Sequence, residues 1–185
     1  MEHTELGDVL LTLSRGAIGE RFGRTAASAA AAAHDALAQP GATFVTLTQR
    51  GQLRGCIGSL EAHRPLGHDV RENALAAAFR DPRFAPLAAE EFDVTRVEVS
   101  LLTAPEPLAF ADEAGFMAQL RPGIDGIVFQ YGRHRSTFLP QVWESLPDPN
   151  LFMQQLKRKA GLPPNFWHET VTIARYEVTK WKEAL

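Results

Sequence analysis

Cysteine is all but missing from this chain: Cys56 is the only one among 185 residues. A lone thiol excludes an intrachain disulfide and any zinc or iron–sulfur site built on several cysteines. It fits a reducing compartment. Clustered metal ligands are missing as well. The six histidines form no His-x-x-x-His or Glu-x-x-His pair, and His63 and His68 stand apart without a set of carboxylates, so no metal site is expected. A basic stripe is missing too. The net charge is −3, and the one dense basic run, Lys157-Arg158-Lys159, reads as cations complementing the dipole in a helix's last turn. Nucleic-acid binding is therefore not expected. Long apolar runs are lacking: the alanines Ala29 to Ala33 are too few and too weakly apolar to cross a bilayer. The chain opens acidic rather than with a basic region and an apolar core, so no signal peptide is read. The expectation is a cytoplasmic protein without a membrane span. A Gly-x-Ser-x-Gly elbow is absent. Gly55-x-x-Gly58 lacks the Lys-Ser/Thr of a phosphate loop. No cofactor is expected.

What is present is ordinary globular composition, with 45% hydrophobic and 22% charged residues. The length suits one domain spanning residues 1–185, or one domain with a small lobe. Leu6, Val9, Leu10, Leu13 and Ala17 recur at helical spacing, predicting a helix from Glu5 to about Arg24. Ala26 to Ala38 has helix propensity but little bulk to bury, and reads as a short surface helix. Thr43 to Thr48 alternates as a strand. Gln49-Arg50-Gly51-Gln52 supplies the glycine of a tight hairpin, and Leu53 to Ser59 is the returning strand. Pro65 opens a helix, Leu66 to Phe79, whose face of Leu66, Val70, Ala74, Ala77 and Ala78 is small enough to pack closely on a sheet. Asp81-Pro82 ends it. Strands are predicted over Val94–Thr103, Ile124–Tyr131, Ser136–Phe138 and Val171–Trp181. Asp112 caps a helix running to Leu120, and Asp148-Pro149 starts another that stops at Gly161. Hairpins rather than regular crossovers indicate an α+β fold with a mainly antiparallel sheet flanked by helices.

Chemistry concentrates in Leu53-Arg54-Gly55-Cys56-Ile57-Gly58-Ser59. Strand period puts Arg54 and Cys56 on one face and Leu53, Gly55 and Ile57 on the other. Glycines on both sides of Cys56 are a way to leave a thiol accessible beside a cation. A nearby guanidinium favours the thiolate, whereas a free cysteine is equally at home as a small buried hydrophobe. Arg54 either binds an anionic group or pairs structurally with Glu98 or Asp81. Glu98, between two valines, either pairs with an arginine, the favoured reading, or has a raised pKa for acid–base work. Asp81 and Arg83 share a turn where an aspartate can bond its own backbone. Asn73 either holds the Cys56 segment by hydrogen bonds or is a surface amide.

Leu-Arg-Gly-Cys-Ile-Gly resembles the signature of the AMMECR1 domain family. The resemblance continues through Asn73-Ala74 to Asp81-Pro82-Arg83-Phe84, Val97 to Leu102, Gly123-Ile124-Asp125-Gly126-Ile127, Thr137 to Val142 and Lys159-Ala160-Gly161-Leu162, in order along nearly the whole chain. It implies a larger α/β lobe and a smaller lobe with a cleft between them, lined by Arg54, Gly55, Cys56, Gly58, Asn73, Asp81, Arg83 and Glu98. It implies a bacterial or archaeal type found alongside a Memo-like protein and a radical S-adenosylmethionine protein. Many relatives carry His-Gly where this chain has Asp125-Gly126, a position read as structural with Gly126 serving a turn. Two functions follow as expectations. One is a binding or adaptor module that presents a small-molecule ligand, a peptide or an assembly surface to those partners. The other is an enzyme using Cys56 as nucleophile or redox thiol on a small anionic or carbonyl substrate, with Glu98 as an acid–base group.

Overall fold

The computed structural model describes residues 2–24 and 34–184. Its helices are α1 (Glu2–Glu20), α2 (Leu66–Phe79), α3 (Glu113–Met117) and α4 (Pro149–Lys159). Its strands are β1 (Ala42–Gln49), β2 (Gln52–Gly58), β3 (Thr95–Leu102), β4 (Glu106–Pro107), β5 (Gly126–Tyr131), β6 (His134–Phe138), β7 (Thr172–Tyr176) and β8 (Val178–Lys182). Two four-stranded sheets form, in the orders β2-β1-β3-β8 and β4-β7-β5-β6. The chain divides into two compact units, residues 1–102 with 179–185, and residues 103–178.

In the first unit, β1 pairs antiparallel with β2 on one side and β3 on the other. Alternation sends Val45 and Leu47 of β1 and Val97 and Val99 of β3 into the core, all 0–1% exposed. Helices α1 and α2 pack against each other and against this face. Leu6, Leu10 and Ile18 of α1 and Leu66, Val70, Ala74 and Ala77 of α2 join the same cluster. The small residues of α2 let it come close to β2: a Cβ on Gly55 would lie 2.2 Å from the Ala77 carbonyl oxygen. The β1–β2 turn is a two-residue loop with φ of 50° at Arg50 and 78° at Gly51. Positive φ at both central residues is the type I′ pattern that matches strand twist.

The second unit packs α4 and the aromatic residues Phe116, Phe129, Trp143 and Phe152 around Ile127, Leu156 and Ile173. Trp143 and Phe152 stack with centroids 3.8 Å apart. Asp148 caps α4 by accepting from the Asn150 and Leu151 amides, and Gly161, at φ 83°, stops it.

Several expectations need correction. The segment read as one strand, Val171–Trp181, is two strands that belong to different sheets. Glu177 separates them, its N–H donating to Thr103 Oγ1 and its C=O accepting from Thr103 N. Helix α1 ends at Glu20 rather than near Arg24, and α3 is one turn rather than a helix to Leu120. Residues 26–33 of the proposed alanine helix lie outside the described residues, and Asp35–Ala38 form a short 3₁₀ turn. Lys157, Arg158 and Lys159 do stand in the last turn of α4, but Lys157 does more than complement the dipole. It is 2% exposed, ion-paired with Glu113 and 5.5 Å from the Trp167 ring centroid. Gly126 serves close packing rather than a turn, since its Cβ would meet the Tyr176 ring at 2.4 Å, while the positive φ nearby is at Gly123.

The docking of α2 on β2 gives a direct test. Gly55→Ala drives a methyl group into the Ala77 backbone and is expected to cost about 2–3 kcal/mol, read as a lower urea midpoint with an unchanged m-value. A midpoint within error of wild type would show that the helix is not tightly seated.

Candidate functional site

The signature strand does not keep simple alternation. Leu47 stands opposite Gly55 but Thr48 stands opposite Leu53, so Arg54 is an extra residue, a β-bulge. Bulges re-aim a side chain, and this one separates Arg54 from Cys56. The Arg54 guanidinium makes a bidentate pair with Glu91, Nε to Oε1 and Nη2 to Oε2, both 2.9 Å. Glu91 Oε1 also accepts from Gln49 Nε2, which lies opposite Thr95 and shares the parity of buried Leu47 and Val97. Arg54 therefore turns to the helix side of the sheet and packs 5.9 Å from the Phe84 ring centroid. The expectation that Arg54 and Cys56 share a face is overturned, and so is the pairing of Arg54 with Glu98 or Asp81.

Cys56 lies on β2, an edge strand whose outer backbone groups need partners. They find them in the turn after α2. The Cys56 N–H donates to Asp81 Oδ2 at 2.9 Å, and Arg83 Nη2 donates to the Cys56 carbonyl at 3.3 Å. Asp81 is itself tied to Arg83: Oδ1 accepts from Arg83 N and Nε, both 3.0 Å, and Oδ2 accepts from Nη2 at 2.7 Å. Asp81 does bond its own turn, as expected, but its larger role is to close the edge of β2. Because the Cys56 amide points outward, Thr46 and Cys56 are a non-hydrogen-bonded cross-strand pair, the kind with the closer side chains. Thr46 Oγ1 accordingly donates to Cys56 Sγ at 3.3 Å.

The same register carries the row onward. Thr46 is opposite Glu98 on β3, and Glu98 meets Lys182 Nζ at 2.8 Å and Lys180 Nζ at 3.9 Å on β8. Cys56, Thr46, Glu98 and the two lysines thus form a polar row across all four strands, on the face away from α2. Glu98 is ion-paired, as favoured, but with lysines rather than an arginine. Gly58, the last residue of β2, leaves room for the ring of its neighbour Phe44, which would clash with a Cβ at 2.2 Å.

Asn73 is buried rather than a surface amide. Its Nδ2 donates to the Thr43 carbonyl, Thr43 Oγ1, Ser59 Oγ and Asp69 Oδ2 at 3.0–3.2 Å. Asp69, fully buried, additionally accepts from Thr43 N and Oγ1, Ser59 Oγ and Arg64 Nε at 2.7–2.8 Å. This network binds the open end of the hairpin to α2. Asp69, Arg64 and Glu91 were missed in the sequence; an acidic residue in a helix's first turn was the signal that pointed to Asp69.

Electrostatics follows the geometry. The Arg83 hydrogen bonds hold the Asp81 carboxyl well below the usual carboxylate range, with the Cys56 and Arg83 amides adding to them against the opposing effect of burial. Asp81 in turn raises the Arg83 pKa, chiefly through their hydrogen bonds, against the opposing effect of burial. Arg54 is the main cause that lowers Glu91 to about 2. Of the expected site residues, Cys56, Gly58, Asp81, Arg83 and Glu98 converge on one edge and face of the sheet. Arg54, Gly55 and Asn73 serve the helix side. Asp125, in the second unit, is a buried partner of Arg121, and its carbonyl accepts from Trp143 Nε1 at 2.8 Å, as a structural position should. Among the described residues, no group of three metal-ligating side chains occurs, and no helix is long and apolar enough to cross a membrane.

Comparison with known proteins adds to this picture. A family model described as AMMECR1 matches residues 11–181. A protein of Methanothermobacter thermautotrophicus is 39% identical over 155 residues, covering 80% of this chain and 79% of its own length. A protein of Sulfolobus acidocaldarius is 34% identical and covers 98% of this chain and 83% of its own. The crystal structure of the uncharacterized protein PH0010 from Pyrococcus horikoshii superposes with a TM-score of 0.78 at 32% identity, over 97% of this chain and 92% of that one.

Two measurements check the site's energetics. Arg54→Ala strands Glu91 in a largely enclosed place and is expected to destabilise by about 2–4 kcal/mol, whereas Cys56→Ser, at a half-buried position where Thr46 can bond a hydroxyl as well, should leave the melting temperature close to wild type. A collapse of Cys56→Ser comparable to a core truncation would make the thiol a packing element. Glu91 and Asp81 are both depressed in the folded state, so their stabilisation is complete above the unfolded carboxylate pKa, 4.5 for Glu91, and is lost as pH falls toward about 2. Urea midpoints at pH 7, 5 and 3 should therefore drop mainly between the last two, and Glu91→Gln should flatten that drop; an identical drop in the variant would show that the pair does not drive it.

Proposed function

The chain belongs to the AMMECR1 family, and from that premise we propose that it is a binding or adaptor module whose recognition surface is the Cys56 face, working with a Memo-like protein and a radical S-adenosylmethionine protein. The observation that carries this reading is the clasp on Cys56: its amide on Asp81, its carbonyl under Arg83 and its sulfur accepting from Thr46. Every polar group of the residue is held, yet the side chain is only half-buried. Such preorganisation lowers the ordering cost of binding. The row that continues through Glu98 to Lys182 and Lys180 offers a carboxylate and two ammonium groups in a fixed order, which suits complementary charges on a partner. Among the described residues, no histidine or carboxylate hydrogen-bonds the sulfur, so the general base that a nucleophilic thiol usually needs is not at hand. This favours presentation over autonomous catalysis. The wider setting, a cytoplasmic module offering a small-molecule ligand or an assembly surface to those partners, is part of the same proposal.

One observation favours a second reading, in which Cys56 is the nucleophile or redox thiol for a small anionic or carbonyl substrate. The Arg83 guanidinium bonds the Cys56 carbonyl at 3.3 Å, and a cation beside a cysteine is a setting in which thiolate chemistry is found. Alkylation rate against pH separates the two: a thiol pKa at or above that of a free cysteine, with slow labelling, removes the thiolate from consideration.

The adaptor reading is tested by titrating purified Memo-like and radical S-adenosylmethionine proteins of the same genome into this chain by calorimetry. Saturable binding is expected, with Glu98→Lys weakening it at least about tenfold through like-charge repulsion and with Cys56 protected from iodoacetamide in the complex. Binding indifferent to Glu98→Lys, with Cys56 labelled equally fast alone and mixed, would contradict the assignment of this face.

A further inference from the structure

A cavity opens at the tip of the first hairpin, and Cys56 is not among its lining residues. Its volume is about 560 Å³, and it is lined by Gln49, Arg50, Gln52, Leu53, Arg54 and Val94. Its composition is unusual for a chain of net charge −3, since two arginines line it and no acidic residue does. Two of its other lining residues, Leu53 and Val94, are large aliphatic side chains left 44% and 58% exposed. Gln52 adds a side-chain amide, whereas the Gln49 amide N–H groups are already given to Glu91 and Thr95. The cavity therefore joins cationic donors, a neutral amide and an apolar wall, which is the usual build of a small-molecule site.

Two details of the arginines point to a ligand. Arg54 uses Nε and Nη2 on Glu91, but its Nη1 is buried and has no hydrogen-bond partner among the described residues. A buried donor left unpaired is costly, and an anionic oxygen is the group that would satisfy it. Arg50 occupies the first central position of the I′ turn at φ 50°, where asparagine or glycine is the easier choice. A long cation is held there at some backbone expense, and among the described residues no acidic side chain pairs with it. The turn therefore carries a guanidinium that its own conformation does not call for.

We infer that the hairpin cavity binds a small organic anion, a carboxylate or phosphate head on Arg50 and Arg54 with a short apolar body against Leu53 and Val94. Arg50 offers a guanidinium fork whose paired N–H donors match the paired oxygens of either head, and Arg54, with Nε and Nη2 held by Glu91, adds Nη1. The site is independent of the Cys56 face: the bulge at Arg54 puts the two on different sides of the strand.

The experiment is calorimetric titration of the full chain with hexanoate, phenyl phosphate and, as the uncharged control, hexanamide. Saturable binding of at least one anion is expected, with hexanamide silent; which anion binds names the head group. Arg50→Asn should weaken that binding at least about tenfold by removing the charged fork. Its melting temperature should stay at or above wild type, because asparagine tolerates the left-handed region. Cys56→Ser should bind as wild type does, so a failure here is separable from a failure of the Cys56 face. The inference is overturned if neither anion saturates, if hexanamide binds as well as the anions, or if folded Arg50→Asn keeps wild-type affinity.

Discussion

Helix α2 is fastened to the first hairpin by an aspartate at each end, and the rest of the larger unit depends on that attachment. At the helix start, the buried Asp69 carboxylate takes five donors: Thr43 N and Oγ1, Ser59 Oγ, Arg64 Nε and Asn73 Nδ2. Just past its end, Asp81 takes the Cys56 amide from the middle of β2. Between these two points the contact is made by small residues, with Gly55 open to the Ala77 carbonyl. A buried carboxylate is tolerable only when its oxygens are occupied, so Asp69 demands that both ends of the hairpin be in place. The apolar contact and the polar clasps therefore specify the same register.

That register has consequences on the other face. Once Cys56 is opposite Thr46, and Thr46 opposite Glu98, the polar row to Lys182 is set by strand pairing alone. The edge strand would otherwise expose unpaired backbone groups at Cys56, and Asp81 and Arg83 fill them with side chains instead of another strand. The arrangement closes the edge at this residue while leaving its thiol half-buried. The bulge does the opposite for Arg54, turning it back to hold the Ala89–Val94 segment through Glu91.

Much of this was legible from residue order. The hairpin, α2 and its small-residue face, β3 and the Asp148-Pro149 start of α4 all follow from periodicity and capping signals that act over a few residues. Cys56, Asp81 and Arg83, grouped from the sequence, are bonded to one another, and Glu98 stands in the row that continues from Cys56 through Thr46. What escaped were effects that depend on a partner far along the chain or on a single irregularity. Arg54 was assigned to the Cys56 face because a strict period of two has no way to register one inserted residue. Glu98 was given an arginine because its lysines lie on β8, some eighty residues later in a segment that itself read as one strand. Gly126 looked like a turn glycine because its contact with Tyr176 is set only by the pairing of β5 with β7.

The account rests on Cys56 being held in place by Asp81 rather than by packing. Native-state hydrogen exchange at the Cys56 amide tests this most directly. In wild type the amide should be protected like those of the central strand β1, opening only with the whole unit, although it sits on an edge strand. In Asp81→Ala it should exchange at the rate of local fraying while β1 amides such as Val45 keep the protection that the variant's global stability allows. A Cys56 amide that already exchanges as an exposed edge group in wild type, or that is equally protected without the Asp81 carboxylate, would contradict the account.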